Sequence, residues 1–180
     1  WPTADMQRDI ETMMRPRIEA IEGRAVPVRN LHVTLAFLGE VPDARLPSVK
    51  ACAATVGTTH PFDLQFDRIE IWGRAHVLCL TTQCVPEPLL KLFERLRFNL
   101  LSEQFEVRHE EYRPHVTLAR DVRRRTSEES IEPIGWRVQD FVLVQSQRGA
   151  AGSEYAVLER WPLEEHAGRA TGKEIGRMPR

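Results

Sequence analysis

The chain has 180 residues, 42% of them hydrophobic, and a formal net charge of −1. That size and apolar content allow one globular unit, or two small lobes sharing a core. Near-neutrality excludes a general polyanion binder, whose affinity would come from surplus Lys and Arg. No apolar run is long enough for a membrane-spanning helix. Cys52, Cys79 and Cys84 are odd in number and lack CxxC spacing, which points to buried or incidental thiols in a reducing cytoplasm rather than to a disulfide or zinc framework.

In chain order, Met6, Ile10, Met13, Met14, Ile18 and Ile21 recur at helical spacing and predict a helix beginning near Ala4. Asp5 can cap its start and Gly23 can end it, while Pro16 predicts a kink or break. His32-Val33-Thr34-Leu35-Ala36 follows, its β-branched and apolar residues favouring a strand. Residues 46–56 suit a further helix, and 62–71 and 75–81 read as strands. Leu89, Leu92, Phe93, Leu96 and Leu100 predict a helix over 87–102, entered through Pro86 and Pro88. Then the first motif returns unchanged, as His115-Val116-Thr117-Leu118-Ala119, 83 residues after its first appearance at His32. Strand-like stretches at 137–144 and 154–158 close the pattern. Residues 164–180 are charged, contain Gly, have no periodicity and predict a flexible tail.

The repeated pentapeptide with matching flanks indicates an internal duplication. It predicts one domain over 1–163, with halves of about 1–82 and 83–163. The strand ahead of the second helix, moved back by 83 residues, would fall just before Trp1. A native strand is therefore expected upstream of the sequence given, and its loss would expose a sheet edge.

On a strand, side chains alternate between faces. His32, Thr34 and Ala36 should share one face, and Val33, Leu35 and Phe37 the other, which is apolar and suits a core. An imidazole and a hydroxyl on one face serve no packing purpose, and two copies related by an approximate twofold would meet in one cleft. Such a cleft suits a phosphodiester. One imidazole near its ordinary pKa of about 6.5 can deprotonate water while the other protonates the departing sugar oxygen. Two threonine hydroxyls can donate to the non-bridging oxygens. No metal is required, because the leaving alcohol is protonated rather than coordinated, and two His with no acidic or thiol neighbour at ligand spacing are too few for zinc. His60, His76, His109 and His166 have no comparable setting, and no nucleophile elbow supports a serine hydrolase.

The stretches Asn30-Leu31-His32-Val33-Thr34-Leu35-Ala36-Phe37-Leu38-Gly39-Glu40 and Arg113-Pro114-His115-Val116-Thr117-Leu118-Ala119-Arg120 resemble the two signature motifs of the 2H phosphoesterases. Within that superfamily they are most similar to the RNA 2′,3′-cyclic phosphodiesterases, also called 2′-5′ RNA ligases. The resemblance extends from Trp1 to about Leu163 and includes the Phe-Val-Leu-Val-Gln-Ser stretch at 141–146. It implies an α+β fold of two pseudo-symmetric lobes, with antiparallel sheets lining a central cleft and helices outside. It implies hydrolysis of RNA 2′,3′-cyclic phosphate ends to 2′-phosphomonoesters. Separately, no cofactor is expected, and the chain is expected to be a cytoplasmic monomer. His32 matches the proton donor and His115 the proton acceptor; Thr34, Thr117 and Arg120 match phosphate-binding residues. Strict alternation, however, places Arg120 opposite His115 and Thr117, so it can serve the site only if the strand ends, twists or bulges there.

Arg113, Arg120 and the run Arg123-Arg124-Arg125 surround the second motif and could hold flanking RNA phosphates or simply face solvent. Phe37 could stack a base, although alternation assigns it to the core. Rival functions are 2′-5′ end joining in the same site, a phosphodiesterase for a small cyclic nucleotide or an ADP-ribose cyclic phosphate, and an inactive nucleotide-binding module.

Overall fold

The computed structural model describes residues 1–56, 60–107, 111–124, 127–149 and 152–164. The expected tail, from residue 165 on, lies outside them.

Two helices frame the molecule. α1 (Ala4–Glu19) and α3 (Glu87–Ser102) have 16 residues each and begin 83 residues apart, the spacing of the two motifs. α3 buries Leu89, Leu92, Leu96 and Leu100, one stripe at helical spacing, while Phe93 stacks on Tyr112 at 4.2 Å. α1 buries Met6, Gln7, Ile10 and Met14. Its cap is Thr3 rather than Asp5: the Thr3 hydroxyl accepts from the Met6 N–H at 3.3 Å. Asp5 falls two residues further in, within the first turn, where it pairs with Arg8 and complements the helix dipole. Pro16 does not break the helix, which continues to Glu19. Proline lacks only its own N–H, and its carbonyl still accepts from Ala20 N–H at 3.2 Å.

Gly23 does not terminate α1 either; Ala20 is the C-cap. Glycine fits position 23 for another reason. A Cβ there would lie 3.0 Å from the Arg120 carbonyl oxygen and 3.1 Å from a Val122 methyl. The chain must pass that closely because β1 (Arg24–Ala25) pairs antiparallel with the strand carrying Arg120.

After the first motif come α2 (Leu46–Ala54), β2 (Phe62–Trp72) and β3 (Val77–Thr81); after α3 come β4 (His115–Arg120), β5 (Ser127–Val138), β6 (Asp140–Gly149) and β7 (Gly152–Pro162). One five-stranded sheet has the order β1-β4-β3-β2-β5, and β6 and β7 form a separate hairpin. All the strand pairings are antiparallel. The stretch expected as a single strand at 137–144 is instead the corner between β5 and β6, with Gln139 outside both. The polar first half of β5 gave no strand signal, yet it extends the sheet along β2. Phe66 pairs with Ile134 and Arg68 with Ser130, so the ladder skips across Pro133, which has no N–H to give it.

The lobes do not coincide with the halves of the chain. β2 and β3, which follow the first motif, pair onto β4, which carries the second. The β6–β7 hairpin follows the second motif but meets the first, where Asn30 Nδ2 donates to the Ser153 carbonyl at 2.7 Å. On the main sheet, Leu64, Phe66, Ile69, Ile71, Leu78, Leu80, Val116 and Leu118 join the helices in one core. The ladder puts Glu70 beside Cys79, Cys79 beside Thr117, and Thr81 beside His115 on the opposite face. Among the described residues no helix is long and apolar enough to cross a membrane.

Gly23→Ala is expected to destabilise the protein by about 1–3 kcal/mol, because the neighbour it meets is backbone and cannot rotate away. Chemical denaturation measures it; a variant as stable as the parent would show that β1 can retreat from β4 at no cost.

Candidate active site

The two motifs meet through one backbone bridge, Val33 to Val116, antiparallel. That register sets His32 across from Thr117 and Thr34 across from His115. Neighbouring strands lie ~4.8 Å apart, and diagonal positions roughly 7–8 Å. The two imidazoles therefore occupy one diagonal of a small square and the two hydroxyls the other. The second motif forms the full strand β4, whereas the first is extended only around the bridge and bends at Leu35. Gln7 of α1 steadies the first motif through a 3.2 Å hydrogen bond to the Leu31 carbonyl.

Strict alternation fails at the same place in both motifs. On β4, Cys79 pairs with Thr117 but Leu78 pairs with Ala119, leaving Leu118 as the extra residue of a β-bulge. Leu118 and Ala119 both turn into the core. Arg120 then pairs with Val77 and returns to the face of His115 and Thr117. In the first motif, Leu35 and Ala36 likewise both pack against the core, so Ala36 does not share the face of His32 and Thr34. Phe37, the counterpart of Arg120, is 70% exposed rather than in the core. The bend at Leu35 reverses the alternation that assigned it there.

Both histidines are locked in one way. His32 Nδ1 lies 2.6 Å from the Asn30 carbonyl, and His115 Nδ1 lies 2.7 Å from the Arg113 carbonyl, each two residues upstream. A carbonyl only accepts, so each Nδ1 carries its hydrogen, and Nε2 is the nitrogen left to exchange a proton. Trp1 stacks on the His32 ring at 4.6 Å and 5°, and Tyr155 of β7 meets it edge-on at 5.2 Å. Trp72 of β2 packs against His115 at 4.6 Å.

Burial lowers the His32 pKa, and the charges of Arg120 and His115 push it the same way, against the Asn30 carbonyl. Burial also lowers that of His115, assisted by Arg113 and Arg120 and opposed by the Arg113 carbonyl and Glu70. One guanidinium, that of Arg120, thus acts on both rings. Burial raises the Cys79 thiol to about 12, against a hydrogen bond with Thr117, and leaves it neutral beneath the square.

The expected arginine patch is divided among separate tasks. Arg113 pairs with Glu70 at 2.8 Å, and Arg124 donates to the Ala20 carbonyl at 3.0 Å. Arg123 is exposed, and Arg125 lies outside the described residues. Sequence reasoning missed Glu70, Trp72 and Tyr155. Glu70 and Trp72 stand two apart on β2, alternating with core-facing Ile69 and Ile71, the same face pattern that exposed the His-x-Thr motifs. No group of three or more His, Cys, Asp or Glu side chains able to hold a metal occurs among the described residues.

Residues 5–150 match the model of the 2′-5′ RNA ligase superfamily. The chain belongs to that family. It is 31% identical over 145 residues to the RNA 2′,3′-cyclic phosphodiesterase of Escherichia coli, covering 78% of this chain and 80% of the relative. It is 32% identical over 174 residues to the protein of that name from Thermus thermophilus, covering 87% and 83%. Among solved structures of the family, E. coli LigT complexed with 3′-AMP superposes with a TM-score of 0.82 at 27% identity, covering 92% of this chain and 95% of that one. The same E. coli protein complexed with phosphate gives 0.76 at 28%, covering 91% and 93%.

If Arg120 reaches both imidazoles, Arg120→Gln should move both His32 and His115 titration midpoints to higher pH, since the lost charge had disfavoured both protonated rings. NMR titration of the ring protons reads this directly; an unmoved pair would place the guanidinium away from the cleft.

Proposed function

We propose that this chain opens RNA 2′,3′-cyclic phosphate ends to 2′-phosphomonoesters, with His115 as proton acceptor and His32 as proton donor. The observation that carries it is the matched pair of rings, each pinned through Nδ1 and set diagonally across the Val33–Val116 bridge. The relatives named RNA 2′,3′-cyclic phosphodiesterase support the substrate. The LigT complexes with 3′-AMP and with phosphate support a nucleotide and an anion in the homologous fold.

The cyclic phosphate lies over the square of side chains. Nε2 of His115 takes a proton from water as the water oxygen attacks phosphorus. The bond from phosphorus to O3′ breaks, and Nε2 of His32 delivers its proton to that oxygen. The product keeps its phosphate on O2′, and the two rings exchange protons with solvent to reset. Thr34 and Thr117 donate to the non-bridging oxygens while Arg120 balances their charge. Both imidazoles are disfavoured as cations in the free protein, so an arriving anion offsets Arg120 and helps His32 hold the proton it must give.

Joining RNA ends through a 2′-5′ bond, which the family's description implies, uses the same groups in the same order, with a 5′-hydroxyl in place of water as the nucleophile and O3′ again leaving. Hydrolysis is favoured because water is abundant and no nucleotide-activating motif is present in the sequence. Free Cys52, Cys79 and Cys84 suit a reducing cytoplasm. All the named side chains belong to one chain, so a monomer suffices.

A short RNA ending in a 2′,3′-cyclic phosphate, incubated with the protein and a chelator, should yield a 2′-phosphate. His32→Ala and His115→Ala should each lose ~10²–10⁴ in kcat, with RNA binding largely kept. Unchanged turnover in either variant would remove the two-histidine mechanism. The pH dependence has a definite sign. The acceptor must be neutral and the donor protonated, and both free-enzyme values lie below the ordinary one, so kcat/KM should peak below about 6.5. A maximum well above that would contradict the assignment.

A further inference from the structure

Glu70 is a carboxylate on the cleft face of the sheet that the mechanism above leaves without a task. Its side chain is only 12% exposed, and both oxygens are engaged. Oε1 accepts from Thr81 Oγ1 at 2.7 Å; Oε2 accepts from Trp72 Nε1 at 2.7 Å and from Arg113 Nη2 at 2.8 Å. Burial pushes the carboxyl upward, but the bonds from Trp72 and Thr81 and the charge of Arg113 outweigh it and hold it below the usual carboxylate range. Glu70 is therefore an anion at neutral pH.

Two of its three donors are the residues that hold His115. The Trp72 ring packs on the imidazole at 4.6 Å, tilted by 59°. The Arg113 carbonyl takes the Nδ1 hydrogen, and its guanidinium carbon sits 5.0 Å over the Trp72 ring, closing the cluster. We propose that Glu70 is the positioning residue of the proton acceptor: by gripping Trp72 and Arg113 together it fixes the His115 ring with Nε2 toward the phosphate. This rests on the function proposed above and deepens it.

The two imidazoles differ in this respect. Asn30, Trp1 and Tyr155 hold His32, and no carboxylate is among the groups that act on its charge. The ring that must become an imidazolium has an anion behind its supports; the ring that must give up a proton has none. The charged and titratable groups around His115 are Glu70 from β2, Arg113 ahead of β4, Arg120 on β4 and His32 of the first motif. The neutral Cys79 thiol of β3 lies beside Thr117. Glu70 alone among these carries negative charge, and it partly cancels the two arginines.

Glu70→Gln keeps an acceptor oxygen and removes the charge. It should lower kcat roughly tenfold, short of the ~10²–10⁴ carried by the acceptor itself, with KM little changed. The NMR titration midpoint of His115 should move to lower pH, because a charge favouring its protonated form is gone, while that of His32 stays in place. Trp72→Phe keeps the ring but loses the N–H bond to Oε2, and kcat should fall several-fold at constant KM. It also carries the test if Glu70→Gln does not fold, as judged by thermal melting. A parental kcat in both variants, or a His115 midpoint unmoved in Glu70→Gln, overturns the assignment. These outcomes separate from failure of the function itself. A wild-type protein inert on cyclic phosphates would sink that function, whereas the His115 titration reports on Glu70 without any turnover.

Discussion

One backbone bridge, between Val33 and Val116, decides whether this chain has a site at all. It is the contact that brings the two motifs edge to edge. Because side chains alternate along extended backbone, the register of that single pair fixes which groups face each other. A slip by one residue would bury both imidazoles and expose Val33 and Val116, the second of which is fully buried. The hydrophobic requirement on the core face and the chemical requirement on the cleft face are thus one constraint, satisfied by two valines. Apolar burial enforces the placement of the polar square.

Alternation alone would leave that square without a cation. The bulge at Leu118 resolves this by sending two consecutive apolar residues inward and bringing Arg120 back to the cleft face. The bend at Leu35 performs the same reversal in the other copy but delivers Phe37 instead. The two motifs therefore share a backbone device and differ in what it presents. A guanidinium on one side binds charge, and an exposed ring on the other does not. The same divergence separates the supports of the two histidines, with a carboxylate-braced Trp72 behind His115 and the aromatic pair Trp1 and Tyr155 around His32. The two identical pentapeptides thus have equal backbone locks and unequal surroundings.

Much of this was legible in the sequence, where periodicity is strong and local. The helix over 87–102 has the bounds its leucine stripe predicts, and the repeat places α1 at Ala4 even though its own pattern is weaker. The His-x-Thr pairs stood out because packing has no use for them. What was not legible depends on partners distant in sequence. Arg120 could be placed at the site only on the condition of a bulge, because a bulge is a property of the β3–β4 ladder, not of β4 alone. β5 was missed because its polar half is a strand only by courtesy of β2. Gly23 was taken for a helix stop, when it lies instead at the close approach of the chain to Arg120 and Val122. The alternation that placed Glu70 on the cleft face was readable, but its role was not, because its partners Trp72, Thr81 and Arg113 come from separate strands and the approach to β4.

The exchange of hairpins between the halves bears on how such a site stays rigid. Were each motif backed by its own downstream strands, the two lobes would meet only at the Val33–Val116 bridge and could rock about it. Instead β4 lies between β1 from the first half and β3, also from the first half, while the first motif is tied to Ser153 and Tyr155 from the second. Separating the lobes would therefore require breaking ladders and not merely a cleft. Proton transfer between fixed partners needs heavy atoms within hydrogen-bond reach, and small displacements are costly to rate. The interleaved strands supply that stiffness from backbone hydrogen bonds. The cleft side chains are thereby left to be chosen for charge and proton affinity rather than for holding the molecule together.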